Sequence, residues 1–99
     1  MTGGDEAGAR VPRLWRLAKL AHDDVRQRPV LLYPEGAVLL NDTGRAILDL
    51  VDGTRTIDAI AAILAARYGA DVRADVIDYL DLLERQELLS YAQGPSAVG

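Results

Sequence analysis

Side chains with strong chemistry of their own are scarce in this 99-residue chain. Cysteine is absent, which removes disulfides, thiolate metal sites, iron–sulfur clusters and thiol nucleophiles at once. His22 is the single histidine, and serine occurs only at Ser90 and Ser96. A serine–histidine–acid relay would need His22 to meet a serine from the far end of the chain. General acid–base and nucleophilic catalysis lack their usual residues, so the sequence predicts a non-enzyme with no catalytic group, metal or cofactor. A chain of this size has core enough for one fold and little room for a deep, walled active site, so the expected business is binding.

The length fits one domain, and a composition of 49% hydrophobic and 26% charged residues is that of an ordinary globular chain. No apolar run approaches the roughly 18 to 20 residues that span a bilayer. Met1 to Arg10 lacks the basic start and apolar stretch of a secretory signal. The expectation is a cytoplasmic protein with no membrane partner. The net charge of −4 is unevenly spread. Arg10, Arg13, Arg16, Lys19, Arg26 and Arg28 make the first third basic, whereas Asp75, Asp78, Asp81, Glu84 and Glu87 make the last helical stretch acidic. That pattern is either a plain solvated surface or a bipolar one that orients a partner.

Residues 1–12 read as a disordered leader, 13–91 as the folded domain and 92–99 as a disordered tail. The second half of the domain is periodic. Asn41-Asp42-Thr43-Gly44 supplies N-cap oxygens ahead of Ala46, Ile47 and Leu50, and Asp52-Gly53 is expected to close that short helix. Thr56 caps a second helix whose stripe is Ile57, Ile60, Ala61, Leu64 and Tyr68, ended by Gly69. A third starts near Asp71 with Val72, Val76, Leu80 and Leu83 on one face and Leu88 and Leu89 at its end. In the first half, Leu14, Ala18, Ala21 and Val25 would fit a helix. Val30 to Tyr33 and Ala37 to Leu40 are strand-like runs, however, joined by a Pro34-Glu35-Gly36 turn, and a hairpin needs further cover. Lys19 to Asp23 is therefore taken as the first strand, with a turn at Asp24 to Gln27. The predicted fold is α+β and winged-helix-like, a three-stranded antiparallel sheet followed by a three-helix bundle.

Several segments together resemble a known family. Asp23-Asp24-Val25-Arg26, Val30-Leu31-Leu32-Tyr33-Pro34-Glu35, Ile47 to Ile57 with its Asp52-Gly53-Thr54-Arg55-Thr56-Ile57, and Leu64-Ala65-Ala66-Arg67-Tyr68 are similar to the PqqD family of pyrroloquinoline quinone biosynthesis. The resemblance covers about Arg13 to Leu89. Two departures stand out: Gln27 where the family often has glycine, and Gln86-Glu87 where it often has Lys-Gly. Each implies either a left-handed residue other than glycine or a helix continued one turn further.

The resemblance implies a non-catalytic peptide chaperone, a RiPP recognition element. Its partners would be the precursor peptide PqqA and the radical S-adenosylmethionine enzyme PqqE. It implies a peptide strand along Ala37, Val38, Leu39, Leu40 and Asn41, in a groove beside the third helix. From the sequence itself, Tyr79 and Leu82 either widen that helix's core face or floor the groove, with Asp75, Asp78 or Arg85 at the rim. Trp15 and Tyr33 have the same two readings, core or interface. Alternatives are a recognition element for a different modified peptide and a winged-helix DNA-binding regulator using Arg10 to Arg28. Nucleic acid is disfavoured because the acidic third helix would repel phosphates. A monomer or weak homodimer is expected.

Overall fold

The computed structural model describes residues 6 to 92. In order these form α1 (Glu6–Ala9), β1 (Val11–Leu14), β2 (Lys19–Asp23), β3 (Arg28–Tyr33), β4 (Gly36–Leu39), α2 (Asp42–Asp49), α3 (Ile57–Tyr68), α4 (Arg73–Arg85) and β5 (Leu89–Ala92). The fold is α+β, with an antiparallel sheet in the order β2-β3-β4 followed by three helices.

β2, the first strand of the sequence reading, wins over the competing helix for a local reason. Asp23 Oδ1 accepts the amides of Val25 and Arg26 at 3.0 and 3.2 Å, a side-chain turn that diverts the backbone from helix. Val25, which a helix would have buried, is 91% exposed. Gln27 then takes φ 55°, the left-handed turn residue, without being glycine. In the next hairpin Tyr33 pairs with Gly36, so Pro34 and Glu35 alone make the loop. Alternation assigns the faces. Leu20, Leu31 and Val38 lie side by side on the inner face, and Ala21, Val30 and Leu39 on the outer one. Leu31 is fully buried among Ile47, Ile57, Ile60, Leu64, Leu80 and Leu83 of the helices. That burial is what fixes the register, since a one-residue slip would move Leu31 to the outer face.

Caps set the helix bounds. Asn41 Oδ1 accepts from the Gly44 amide at 2.7 Å and opens α2, and Thr56 Oγ1 accepts from Ala59 at 3.1 Å and opens α3. Gly69, at φ 71°, ends α3. Asp52-Gly53 does not close α2, contrary to the sequence reading: Leu50 does, through its bonds to Ile47 and Leu48. Asp52 instead builds a separate turn, accepting from the Thr54 amide, the Thr54 hydroxyl and the Arg55 amide, each at 2.9 Å. Those three bonds hold its carboxyl down at about 2, below the usual carboxylate range.

Two further expectations are corrected. α4, the third helix of the sequence reading, does not carry Leu88 and Leu89 at its end. Glu87 turns left-handed at φ 65°, its amide reaches Glu84 O at 2.9 Å and the Leu88 amide reaches Leu83 O at 3.0 Å. That is a Schellman cap with Leu88 packed over Leu83, and it frees Leu89 to begin a strand. The folded part also starts before residue 13. Val11–Leu14 pairs antiparallel with Leu89–Ala92, preceded by the short helix Glu6–Ala9. Pairing across almost the whole chain stabilises a segment that has no local pattern. Arg10 seals the joint: its guanidinium lies 4.0 Å over the Tyr91 ring and 3.7 Å from Asp81, while the Tyr91 hydroxyl donates to Asp81 at 2.6 Å. Burial, helped by Asp81, pushes the Tyr91 hydroxyl well above its ordinary range. The rest of the expected leader, residues 1–5, and residues 93–99 of the expected tail lie outside the described residues.

Candidate functional site: an open edge beside a helix

Among the described residues β4 is an outer strand, joined to β3 on one side and to no other strand. In an antiparallel ladder the residues of one strand point their N–H and C=O alternately toward and away from the partner. The Leu40 amide donates to Pro29 O at 2.9 Å, which fixes the phase. Leu40, Val38 and Gly36 therefore spend their backbone groups on β3. Ala37 and Leu39 aim theirs off the open edge. Proline, lysine and bulges, the usual means of blunting an edge, are absent between Ala37 and Leu40.

One departure from a regular ladder occurs at the end of this strand. Pro29 faces Leu40 but has no N–H to return, and the Arg28 guanidinium donates to Leu40 O at 3.2 Å in its place. With its side chain 1% exposed in the core, Leu40 presents little to a guest. The Asn41 side chain is likewise committed, to the α2 cap. Of the five strand positions singled out from sequence, Ala37 and Leu39 offer free backbone, and Val38 turns its half-buried side chain to the core side.

α4 lies alongside. Tyr79 reaches Gly44, where an added Cβ would stand 2.6 Å from the Tyr79 hydroxyl and 3.2 Å from Asn41 Oδ1. This brings the middle of α4 to the C-terminal end of β4. At the other end Trp15, Tyr33 and Glu35 share a cleft with Gln86, Glu87 and Leu88. Strand and helix thus run antiparallel beside one another. From Tyr79 to Gln86 the helix rises about 10 Å, and Gly36 to Leu40 spans about 13 Å of strand. At roughly 100° per residue, Asp75, Tyr79, Leu82 and Gln86 share the flank of α4 next to the buried Val76–Leu80–Leu83 stripe. Tyr79 packs on the core and is half-buried, which raises its hydroxyl pKa, whereas Leu82 is 44% exposed. Asp78 and Arg85 stand further round, toward solvent, and are exposed.

Trp15 and Tyr33 both pack against the core from partly buried positions, with Glu35 and the Gln86-Glu87 cap beside them. The sequence reading left Trp15 and Tyr33 as core or interface and did not join them to the end of α4. The signal available was the left-handed cap at Glu87, which brings Leu88 back under Trp15: the Trp15 amide donates to Leu88 O at 2.9 Å.

An unpaired strand edge beside a helix flank that carries Tyr79 and Leu82 is the arrangement of a recognition module. The family model for coenzyme PQQ synthesis protein D matches residues 29–89, and the chain belongs to the PqqD family. It is 42% identical over 86 residues to a bifunctional coenzyme PQQ synthesis protein C/D of Methylorubrum extorquens, covering 84% of this chain but only 23% of that protein. A PqqA binding protein of Stutzerimonas stutzeri is 39% identical, covering 74% of this chain and 82% of that one. Among solved structures, the solution structure of the PqqD truncation of Methylobacterium extorquens PqqCD, described as a functional, stand-alone RiPP recognition element, superposes with a TM-score of 0.74. It is 39% identical, over 87% of this chain and 98% of that chain. PqqD from Xanthomonas campestris superposes at 0.54 with 36% identity, over 78% and 89%.

Proposed function

We propose that this chain is a peptide chaperone that binds the ribosomally made precursor PqqA along β4 and presents it to the radical S-adenosylmethionine enzyme PqqE in pyrroloquinoline quinone biosynthesis. The observation that carries this reading is the alternation along β4, which leaves the N–H and C=O of Ala37 and Leu39 pointing off an unblunted edge. A guest strand would take main-chain hydrogen bonds there and lay alternate side chains toward Tyr79 and Leu82 of α4. Asp75 lies on the same flank, with Asp78 and Arg85 at the outer rim and Asn41 closing one end. Relatives named as PqqA binding proteins support the choice of guest. The iron–sulfur chemistry of a radical enzyme would belong to the partner, since this chain has no cysteine.

A titration of the 15N-labelled chain with synthetic PqqA tests it. Amides of Ala37 and Leu39 are expected to shift together with those of Tyr79 and Leu82. Shifts confined to the basic stretch from Arg10 to Arg28 would overturn the assignment. Presentation is tested separately, by whether adding PqqA and this chain together to PqqE gives a three-component species on size exclusion.

A further inference from the structure

Beyond the C-terminal end of β4 the groove leads to a cleft of about 210 Å³ between the three long helices. Its floor is Ile47, Leu64 and Val76, each about 1% exposed and each from a different helix. Val72 and the half-exposed Tyr68 form the walls, and Thr43 and Asp75 the lip. Thr43 is two residues past Asn41, and Asp75 stands one helical turn before Tyr79. The cleft therefore lies in line with the strand–helix groove.

Three features say what it would hold. An apolar cavity of about 150 Å³ takes up benzene, so this one has room for a single ring or branched aliphatic group. The floor residues are locked by the core, so the shape exists before any guest arrives and little ordering is lost on binding. Among the lining residues Asp75 is the single charged side chain, and it sits at the mouth.

Resting on the strand-pairing reading above, we propose that this cleft is an anchor pocket for one aromatic or branched aliphatic side chain of the bound peptide. The anchor flanks the strand-paired stretch and has a basic residue beside it, facing Asp75. In a guest running antiparallel to β4 the anchor lies N-terminal to the paired residues. The edge strand then supplies sequence-independent affinity, and the cleft supplies selection between peptides.

The test uses the full chain and synthetic PqqA. Thr43 is exposed near the start of α2, so Thr43→Trp roofs the cleft from outside the core; Val72→Phe fills it from the wall. Each is expected to weaken PqqA binding at least tenfold while the Ala37 and Leu39 amides still shift at saturating peptide. Alanine at the anchoring position of PqqA should cost a similar factor, and adding Thr43→Trp should then cost little more. Intermolecular NOEs should join that peptide side chain to the methyls of Ile47, Val72 and Val76, a readout that needs no variant. Wild-type affinity in the folded variants, or no NOE to those methyls while Ala37 and Leu39 shift, would overturn the pocket and leave strand pairing standing. NOEs into the cleft without shifts at Ala37 and Leu39 would support the pocket and overturn strand pairing.

Discussion

Arg28 supplies Leu40 with the hydrogen bond that Pro29 cannot make. The guanidinium reaches the Leu40 carbonyl at 3.2 Å, where a non-proline residue opposite would have offered its own amide. This contact finishes the β3–β4 ladder at the point where the strand hands over to the α2 cap. Arg28→Ala is therefore expected to cost about 1 kcal/mol. In a Pro29→Ala background the restored amide takes over, and the same change should cost close to nothing. Urea denaturation of the four proteins measures the difference, and equal costs in both backgrounds would refute the substitution of roles.

The phase of the β4 ladder predicts opposite outcomes for neighbouring prolines. Leu39→Pro removes an outward N–H, so the fold should survive and affinity for the guest peptide should drop about tenfold or more, the loss expected from one main-chain hydrogen bond and its geometry. Val38→Pro removes an inward N–H bonded to β3 and should destabilise the chain by about 3 kcal/mol or more. Thermal melts and peptide binding by anisotropy separate the two. Equal melting temperatures for both variants would mean the phase is wrong.

Gly44 sits on a helix yet is held bare by Tyr79. Alanine elsewhere in a helix interior gains about 1 kcal/mol over glycine. At Gly44 the new Cβ would stand 2.6 Å from the Tyr79 hydroxyl and 2.8 Å from Cζ, so the ring must move. Gly44→Ala is expected to lower stability in the native background and raise it by about 1 kcal/mol once Tyr79→Ala has cleared the space. The same sign in both backgrounds would show that the contact is not what excludes alanine.

Asp52 gives a pH signature. Its pKa is lowered from 3.8 to about 2 by the amides of Arg55 and Thr54 and the Thr54 hydroxyl. A depressed carboxyl stabilises the fold above its unfolded value and loses that contribution as pH falls through the folded one. The melting-temperature gap between the native chain and Asp52→Asn should be full above pH 4 and close as the pH approaches 2. A gap that does not change over that range would sink the assignment; carboxyl-carbon NMR gives the same pKa directly.

Much of this arrangement was legible from residue order. The caps at Asn41, Thr56 and Gly69 and the stripes between them mark α2 and α3, and the strand at Lys19–Asp23 follows from the hairpin's need for cover. The β1–β5 ribbon was not legible. Each of its strands has four residues, too few for a period, and they meet only because the chain ends fold back on each other. Glu87 hid the second of them. The resemblance, with Lys-Gly in place of Gln86-Glu87, left a left-handed residue open there, but the apolar Leu88-Leu89 pair favoured more helix. Within the candidate site, Leu40 looked available because its run continues the strand, but the helical core claims its side chain.

Val11 faces Ala92 across that ribbon, on the side of α4 where Tyr91 holds Asp81, away from the Tyr79–Leu82 flank. Two points near the ends of the described fold are thus neighbours at one corner. Neighbouring ends of this kind favour insertion into a longer polypeptide through joints remote from the Tyr79–Leu82 flank. The C/D protein, in which the matching stretch is 23% of the length, shows that a similar stretch also occurs within a longer chain.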